Sequence, residues 1–385
     1  MERKEAARVC LYGEHLAGTF REFCRTVWPG SYRDMPSTGV VSGSGPIQAE
    51  AHRSDAPTFL FLKDEKTVGH VATIPVRLSI PSGVVSAHWI VGFMVLPEYR
   101  NGLVGPLLIK EVNRVLGCAM SLHVELPVLR ILTGLKWVHK GVLPQYLCVL
   151  NAGAVLKNLQ PSGVEAVRSS DGSSLLRTCV KNRMVRWLGS ASLALGQQVW
   201  SGLSRLARPT RIQDEIRREE VFDDSYTELW QSVAGQIGAS LVRDRAALEV
   251  RFGAKMERYR LLACRRDNEL LGYCILKMKN FTNDARMGNM KVGTIVDCLY
   301  DPRQSSVLQG LLAEAFQWFR QEGTHVVLCT ASLKAIRQVL ARNGFFKIPG
   351  NLNFAYHIRS SFPMDGIPLE DWHLMRGDSD ADQNF

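Results

Sequence analysis

Long hydrophobic runs are missing from this 385-residue chain: nowhere do about 18 or more apolar residues follow one another, so no segment reads as a membrane-spanning helix. The opening Met1-Glu2-Arg3-Lys4-Glu5 is charged and has no signal-peptide core behind it, which makes the cytoplasm the expected location. Paired cysteines are missing too. The nine cysteines are scattered from Cys10 to Cys329 without a Cys-x-x-Cys pair or a histidine at metal-ligand spacing. Their odd number and their place in apolar runs predict buried, reduced thiols and neither a disulfide framework nor a structural metal. No Gly-x-Ser-x-Gly elbow occurs, so serine hydrolysis has no support. Acidic residues are absent between Asp171 and Asp214, while Arg177, Lys181, Arg183, Arg186, Arg205, Arg208 and Arg211 fall inside that interval. Much of the net charge of +10 therefore sits in one segment. Such an excess admits nucleic acid, an anionic membrane or an anionic cosubstrate. Without a recognition helix or interleaved aromatic and basic residues, specific nucleic-acid binding is not expected.

Of the features that are present, the run from Trp89 to Leu108 is the most informative. It is apolar up to Val95-Leu96, breaks at Pro97 and restarts with helical spacing after a turn carrying Gly102 and Gly105. This pattern predicts a strand, a turn and a helix, and such a junction holds anions. The first amides of a helix lack intrahelical partners and lie at the positive end of its dipole, and glycine lets an anion approach the backbone. Arg100 adds a fixed charge. Beyond it, a helix is expected over Leu107–Leu116, a strand over Ala119–Leu126 and a short helix over Val128–Trp137. Before it, Thr19 and Glu22 have the spacing of a capping box for a helix over Phe20–Val27. A Gly/Ser/Pro-rich loop then leads to a hairpin of Phe59–Leu62 and Val68–Ile80 that turns at Lys63-Asp64-Glu65-Lys66.

The same order returns from Asp223 onward. Helices are expected over Ser225–Val233 and Arg243–Phe252, a hairpin over Tyr259–Met278, a strand over Val292–Tyr300, a helix over Ser305–Arg320, a strand over Val326–Thr330 and a helix over Ser332–Asn343 before Gly344-Phe345. At the turn corresponding to Pro97–Gly105, the second copy reads Asp301-Pro302-Arg303-Gln304-Ser305-Ser306-Val307-Leu308, without glycine.

The strand ending Val95-Leu96-Pro97, with Arg100 and Gly105 behind it, resembles the acyl-CoA pyrophosphate loop of the GNAT N-acetyltransferase superfamily. Leu103 stands where that family's pattern has its middle glycine, with Gly102 displaced by one. The element order of both halves resembles the family as well, the second half through its closing helix and Gly344-Phe345. The resemblance implies an α/β fold of two GNAT-like domains, each a mixed twisted sheet flanked by helices. The expected boundaries are residues 1–160 for the coenzyme-binding copy, 161–222 for a basic amphipathic linker, 223–365 for a degenerate copy and 366–385 for an acidic tail. It implies acetyl-CoA or another acyl-CoA as cosubstrate, bound beside Met94 and Val95 with its pyrophosphate on Arg100, Asn101, Gly102, Val104 and Gly105. The implied reaction is direct acyl transfer to an unidentified amine acceptor.

Such a transfer needs a proton acceptor for the amine, and the candidates near the expected cleft are His88, Glu98, His123 and Glu125, with Glu125 and His88 preferred. The family's tyrosine acid does not carry over, because Leu132 and Leu340 occupy its places. Tyr146 and Cys148 lie on a later strand that either reaches the cleft or packs in a core. The linker residues Val185–Leu206, with Trp187 and Trp200 between basic ends, suit either a packed interdomain helix or a peripheral contact with anionic membrane. In the tail, Trp372 precedes Asp378, Asp380 and Asp382, which reads as a solvated acidic terminus anchored by one aromatic; ligation of a hard cation and closure over a cationic acceptor are the other options. Two rivals stand beside the acyltransferase: a FemAB-like aminoacyl transferase, also tandem and GNAT-like, and a non-catalytic scaffold of the same fold.

Overall fold

A computed structural model describes residues 7–29, 40–42, 45–47, 56–158, 214–285, 287–359 and 364–382. The basic segment with Trp187 and Trp200, and most of the Gly/Ser/Pro-rich loop, lie outside these residues. The chain divides into two compact units, Met1–Val142 with Leu352–Pro368 and Ser379–Phe385, and Leu143–Asn351 with Leu369–Asp378.

The first unit opens with strand β1 (Ala7–Leu11) and helix α1 (Ala17–Val27). Phe20, Phe23 and Cys24, one helical turn apart, are the buried face of α1. The capping box is not formed: the helix starts before Thr19, whose hydroxyl instead accepts a hydrogen bond from the Thr67 amide at 2.7 Å. The hairpin follows as β2 (Phe59–Lys63) and β3 (Lys66–Ile80). Its turn residues Asp64 and Glu65 both have positive φ, 49° and 62°, the conformation that matches the twist of paired strands. Then come β4 (Gly83–Val95), α2 (Val104–Val115), β5 (Cys118–Ser121), α3 (Leu126–Gly134) and β6 (Val138–Val142). Gly69 of β3 lies under α2. A Cβ there would come within 2.6 Å of Val104 Cγ1, so only glycine lets the helix sit this close to the sheet.

The second unit repeats the plan. It holds β7 (Gln145–Val149), β8 (Glu215–Glu219), α4 (Ser225–Ala234), α5 (Arg245–Phe252), β9 (Arg260–Arg266), β10 (Glu269–Asn280) and β11 (Lys291–Tyr300). It continues with α6 (Ser305–Gln321), β12 (Val326–Thr330), α7 (Lys334–Arg342) and β13 (Phe346–Ile348). The hairpin turn again has two positive φ angles, at Asp267 and Asn268. Gly272 takes the part of Gly69: its Cβ would meet Val307 Cγ1 of α6 at 2.8 Å.

The last strand, β14 (Asn353–Ile358), belongs to the first unit's sheet, whose order is β1-β2-β3-β4-β5-β14-β6. The second sheet runs β8-β9-β10-β11-β12-β7-β13. The sixth position of each sheet is thus filled by a strand from the other repeat: β14 lies antiparallel between β5 and β6, and β7 antiparallel between β12 and β13. Tyr146 and Cys148 consequently pack in the second unit's core with Cys298, Leu311 and Phe345, and not in a cleft of the first. The first repeat leaves its unit after Val142, ahead of the expected boundary at residue 160.

Candidate functional site

In the first unit β4 and β5 run parallel but pair only at His88↔Ala119 and Trp89↔Met120. Past Trp89 the ladder with β5 stops, while β4 continues to Val95 with β3 on its other side. Two parallel strands that part in this way leave a slot at the carboxyl end of the sheet. Along the slot β4 is bulged: His70 faces Met94, Ala72 faces Val91, and Gly92 between them has φ +58°, where a side chain costs about 1–2 kcal/mol. His70 Nδ1 lies 2.8 Å from the Gly92 carbonyl oxygen. A carbonyl only accepts, so Nδ1 carries the hydrogen. The imidazole is fully buried among Phe20, Phe23 and Trp28, with ring centroids 5.0, 6.2 and 5.8 Å away. Burial pushes its pKa down to about 4, against a partial rise from the Gly92 hydrogen bond.

At the end of β4 the chain turns through Pro97–Tyr99. The Arg100 Nε donates to the Val95 carbonyl at 3.0 Å, and the Gly102 amide donates to Tyr99 O at 3.1 Å. Arg100, Asn101 and Gly102 are exposed. Helix α2 then begins with no side-chain cap and no acidic residue in its first turn, so its positive end is uncompensated. Among the described residues, no backbone carbonyl accepts from the amides of Leu103, Val104 and Gly105.

The same region of the second unit is filled. There β11 and β12 pair from Val292↔Val326 to Ile295↔Cys329, and β11 runs on to Tyr300 with a bulge at Val296. Residues Trp372–Asp378 occupy the slot. Met375 bridges to Ala331 and its sulfur lies 3.6 Å from Cys298 Sγ. The Ser332 hydroxyl accepts from the Leu374 amide and donates to the Trp372 carbonyl. Gly377 sits on the bulge, where a Cβ would come within 2.7 Å of Val296 Cγ1. A buried ionic network fixes the segment. The Arg243 guanidinium donates to Asp297 at 3.0 Å and Asp378 at 2.8 Å, and Arg251 lies 2.9 Å from Asp378. Burial alone would raise the Asp297 pKa, but Arg243 and Arg251 hold it below the usual carboxylate range. At the turn before α6, Arg303 folds back onto Asp301 at 2.7 Å, which places a carboxylate beside that turn.

No protein-family profile matches this sequence, and no curated protein matches it. Solved structures do. A probable N-acyltransferase of unknown function from Enterococcus faecalis superposes on 92% of this chain and 72% of its own, with TM-score 0.57 and 11% identity. A GCN5-related N-acetyltransferase from Anabaena variabilis gives 0.54 and 10%, over 92% of this chain and 73% of its own. The Saccharomyces cerevisiae N-myristoyltransferase with bound myristoyl-CoA gives 0.55 and 12%, over 94% and 81%. The fold is GNAT-like. Two such sheets, each flanked by helices, agree with a tandem duplication.

Within this GNAT-like frame the expected residues scatter by role. Met94 packs with the α1 cluster and Val95 with the α2 cluster, on opposite faces of β4. Val104 and Gly105 are buried against the sheet. A Cβ on Gly105 would lie 3.3 Å from Phe93 Cζ and 3.4 Å from Ile131 Cδ1, so this glycine serves packing, and Gly102 is the one that faces outward. Asn101 is exposed in the turn. His88 is half-buried where β4 still pairs with β5, about 13 Å along the strand from the bulge. Strand β5 ends at Ser121, so His123 and Glu125 are not strand residues; Glu125 is exposed at the N-cap position of α3. The tail is not a solvated terminus either. Trp372 is an anchor as expected, but Asp378 and Asp382 are buried, and burial followed by the Asp382 charge pushes Asp380 up to about 6. Among the described residues, no group of three or more His, Cys, Asp or Glu is placed to hold a metal, and no helix is long and apolar enough to cross a membrane. Sequence reading passed over His70 and Gly92. Their signals were a lone histidine inside an apolar strand and a lone glycine in the central one, which marks a bulge.

Proposed function

We propose that the first unit binds acyl-CoA in its open slot and transfers the acyl group, acetyl or longer, directly to an amine. The observation that carries this reading is the contrast between the two copies: in one, β4 and β5 part past Trp89 beside a helix N-terminus without a side-chain cap, while the other fills its slot with its own chain. The pyrophosphate would lie on the amides of Leu103, Val104 and Gly105, with Asn101 and Gly102 at the turn and the Arg100 guanidinium as counter-charge. Met94 and Val95 would flank the pantetheine arm where β4 leaves β5. The amine must lose a proton as it attacks. Glu125, exposed at the start of α3, is the preferred acceptor of that proton, ahead of His88, which lies farther back along β4. The GNAT-like neighbours named as N-acetyltransferases and N-myristoyltransferase support acyl transfer.

Calorimetric titration with acetyl-CoA and with myristoyl-CoA tests the reading. Arg100→Ala is expected to weaken binding about tenfold, the value of one charge-assisted phosphate contact. Arg303→Ala in the second unit is expected to leave affinity unchanged, because that side chain is already paired with Asp301. Loss of binding from Arg303→Ala, or no binding of either coenzyme to the wild type, would overturn the assignment.

A further inference from the structure

Two Asn-Gly pairs occur in the chain, Asn101-Gly102 and Asn343-Gly344. Such a pair is chemically labile, because a glycine nitrogen with no side chain beside it can reach the asparagine side-chain carbonyl and displace its amide. The fold treats the two pairs differently. Asn343 closes α7, and its Nδ2 donates to the Val339 carbonyl at 2.8 Å, which holds the side chain back along the helix. Gly344 has φ +83°, a conformation that favours glycine. Asn101 has no such restraint. It is exposed in the turn before α2, and no hydrogen bond among the described residues holds its side-chain amide. Neither packing nor backbone conformation demands a glycine at 102: a Cβ there would meet only the Tyr99 carbonyl oxygen, at 3.4 Å, and φ is outside the left-handed region. The Gly102 amide makes one bond, to Tyr99 O at 3.1 Å, and a single bond in an exposed turn opens readily.

The reaction needs no partner except water. The Gly102 nitrogen gives its proton to solvent and attacks Cγ of Asn101; a C–N bond forms, the bond to the side-chain nitrogen breaks, and ammonia leaves with a proton from solvent. The cyclic imide then adds one water. Opening at one ring carbonyl leaves aspartate, and opening at the other leaves isoaspartate, with the main chain rerouted through the former side-chain carbon. No atom is oxidised or reduced. Either product carries a negative charge at neutral pH where an uncharged amide stood. That charge appears next to Arg100 and just ahead of the Leu103, Val104 and Gly105 amides. The second unit shows what a carboxylate does at such a turn: Asp301 takes the Arg303 guanidinium at 2.7 Å.

We propose that Asn101 is a self-modifying site, whose conversion to aspartate or isoaspartate removes acyl-CoA from the first unit. The loss of coenzyme rests on the coenzyme reading above; the modification does not. A carboxylate at 101 competes with the pyrophosphate for Arg100 and for the positive end of α2, and repels its charge. An acidic residue ahead of a helix suits the helix dipole, so the fold itself loses nothing. The end state is a folded molecule without coenzyme.

Full-length protein held at mildly alkaline pH in H₂¹⁸O, sampled over days and digested in ordinary water for peptide mapping by mass spectrometry, tests the site. Residue 101 should become an acid that carries ¹⁸O, while Asn343 changes at least about fivefold more slowly, the weight of its one side-chain hydrogen bond. The rate should rise with pH, since the deprotonated Gly102 nitrogen is the attacking group. Aged protein should bind acetyl-CoA about tenfold more weakly in calorimetry with no fall in thermal midpoint, and freshly made Asn101→Asp should match it. Asn101→Gln, whose longer side chain closes the ring slowly, should keep after incubation the affinity it had before. A residue 101 that stays an amide, or Asn343 changing first, overturns the site. Acid at 101 with undiminished acetyl-CoA affinity overturns its effect on the coenzyme. Absence of acetyl-CoA binding to fresh wild type overturns the coenzyme reading and the loss with it, while the mass record alone decides the modification.

Discussion

His70 is the residue whose titration the surroundings alter most usefully for a test. In the unfolded chain its pKa is the ordinary 6.5, and in the folded protein burial lowers it to about 4. Below pH 6.5 the unfolded chain takes up a proton that the folded protein refuses. The His70 contribution to stability is therefore complete above pH 6.5 and is lost progressively as pH falls toward 4, by at most about 3 kcal/mol. Burial also lowers the pKa of His373, so the comparison must be differential. Urea unfolding of the wild type and His70→Leu at pH 7 and pH 4.5 should show the smaller loss in the variant. Equal losses would place the titration elsewhere.

Among the elements, the segment Trp372–Asp378 differs most from expectation. Three alternating aspartates read as a solvated tail, because sequence alone does not say that Arg243 and Arg251 face the first of them, Asp378. In the structure Asp378 shares Arg243 with Asp297 in a site from which water is excluded. Removing the Asp378 charge leaves two guanidiniums to share Asp297, and such an imbalance of buried charge costs up to about 3–5 kcal/mol. Asp378→Asn is expected to lower the thermal midpoint clearly and to leave acetyl-CoA affinity per folded molecule unchanged. Asp371→Asn, at an exposed carboxylate just before the segment, should do neither. A melting curve for Asp378→Asn that overlays the wild type would mean that the segment is held by its apolar side chains alone. Helix α2 shows the opposite outcome. The strand, turn and helix around Pro97 were legible because a proline, a glycine-bearing turn and helical spacing act locally. Yet Gly105 turned out to serve the contact with Phe93 and Ile131, which no local pattern reveals.

The whole molecule is two copies of one plan in which each sheet takes its sixth strand from the other repeat. A fragment ending at residue 160 would lack β14, leaving β5 and β6 without the strand that lies between them. Its expected behaviour is loss of cooperative unfolding and dispersed amide resonances, since an unpaired strand position exposes backbone groups and apolar surface. A well-dispersed spectrum from that fragment, with acetyl-CoA binding retained, would show that the sixth strand is dispensable. Element order, both hairpins, the repeat and its likeness to GNAT proteins were determined by the sequence, because periodicity, turn chemistry and local motif all act over neighbouring residues. Which strand completes which sheet, the filling of the second slot by Trp372–Asp378, and the pairing of His70 with Gly92 were decided only by tertiary structure. Each joins residues far apart in the chain, and a single sequence carries no local signature of a partner that only packing brings near.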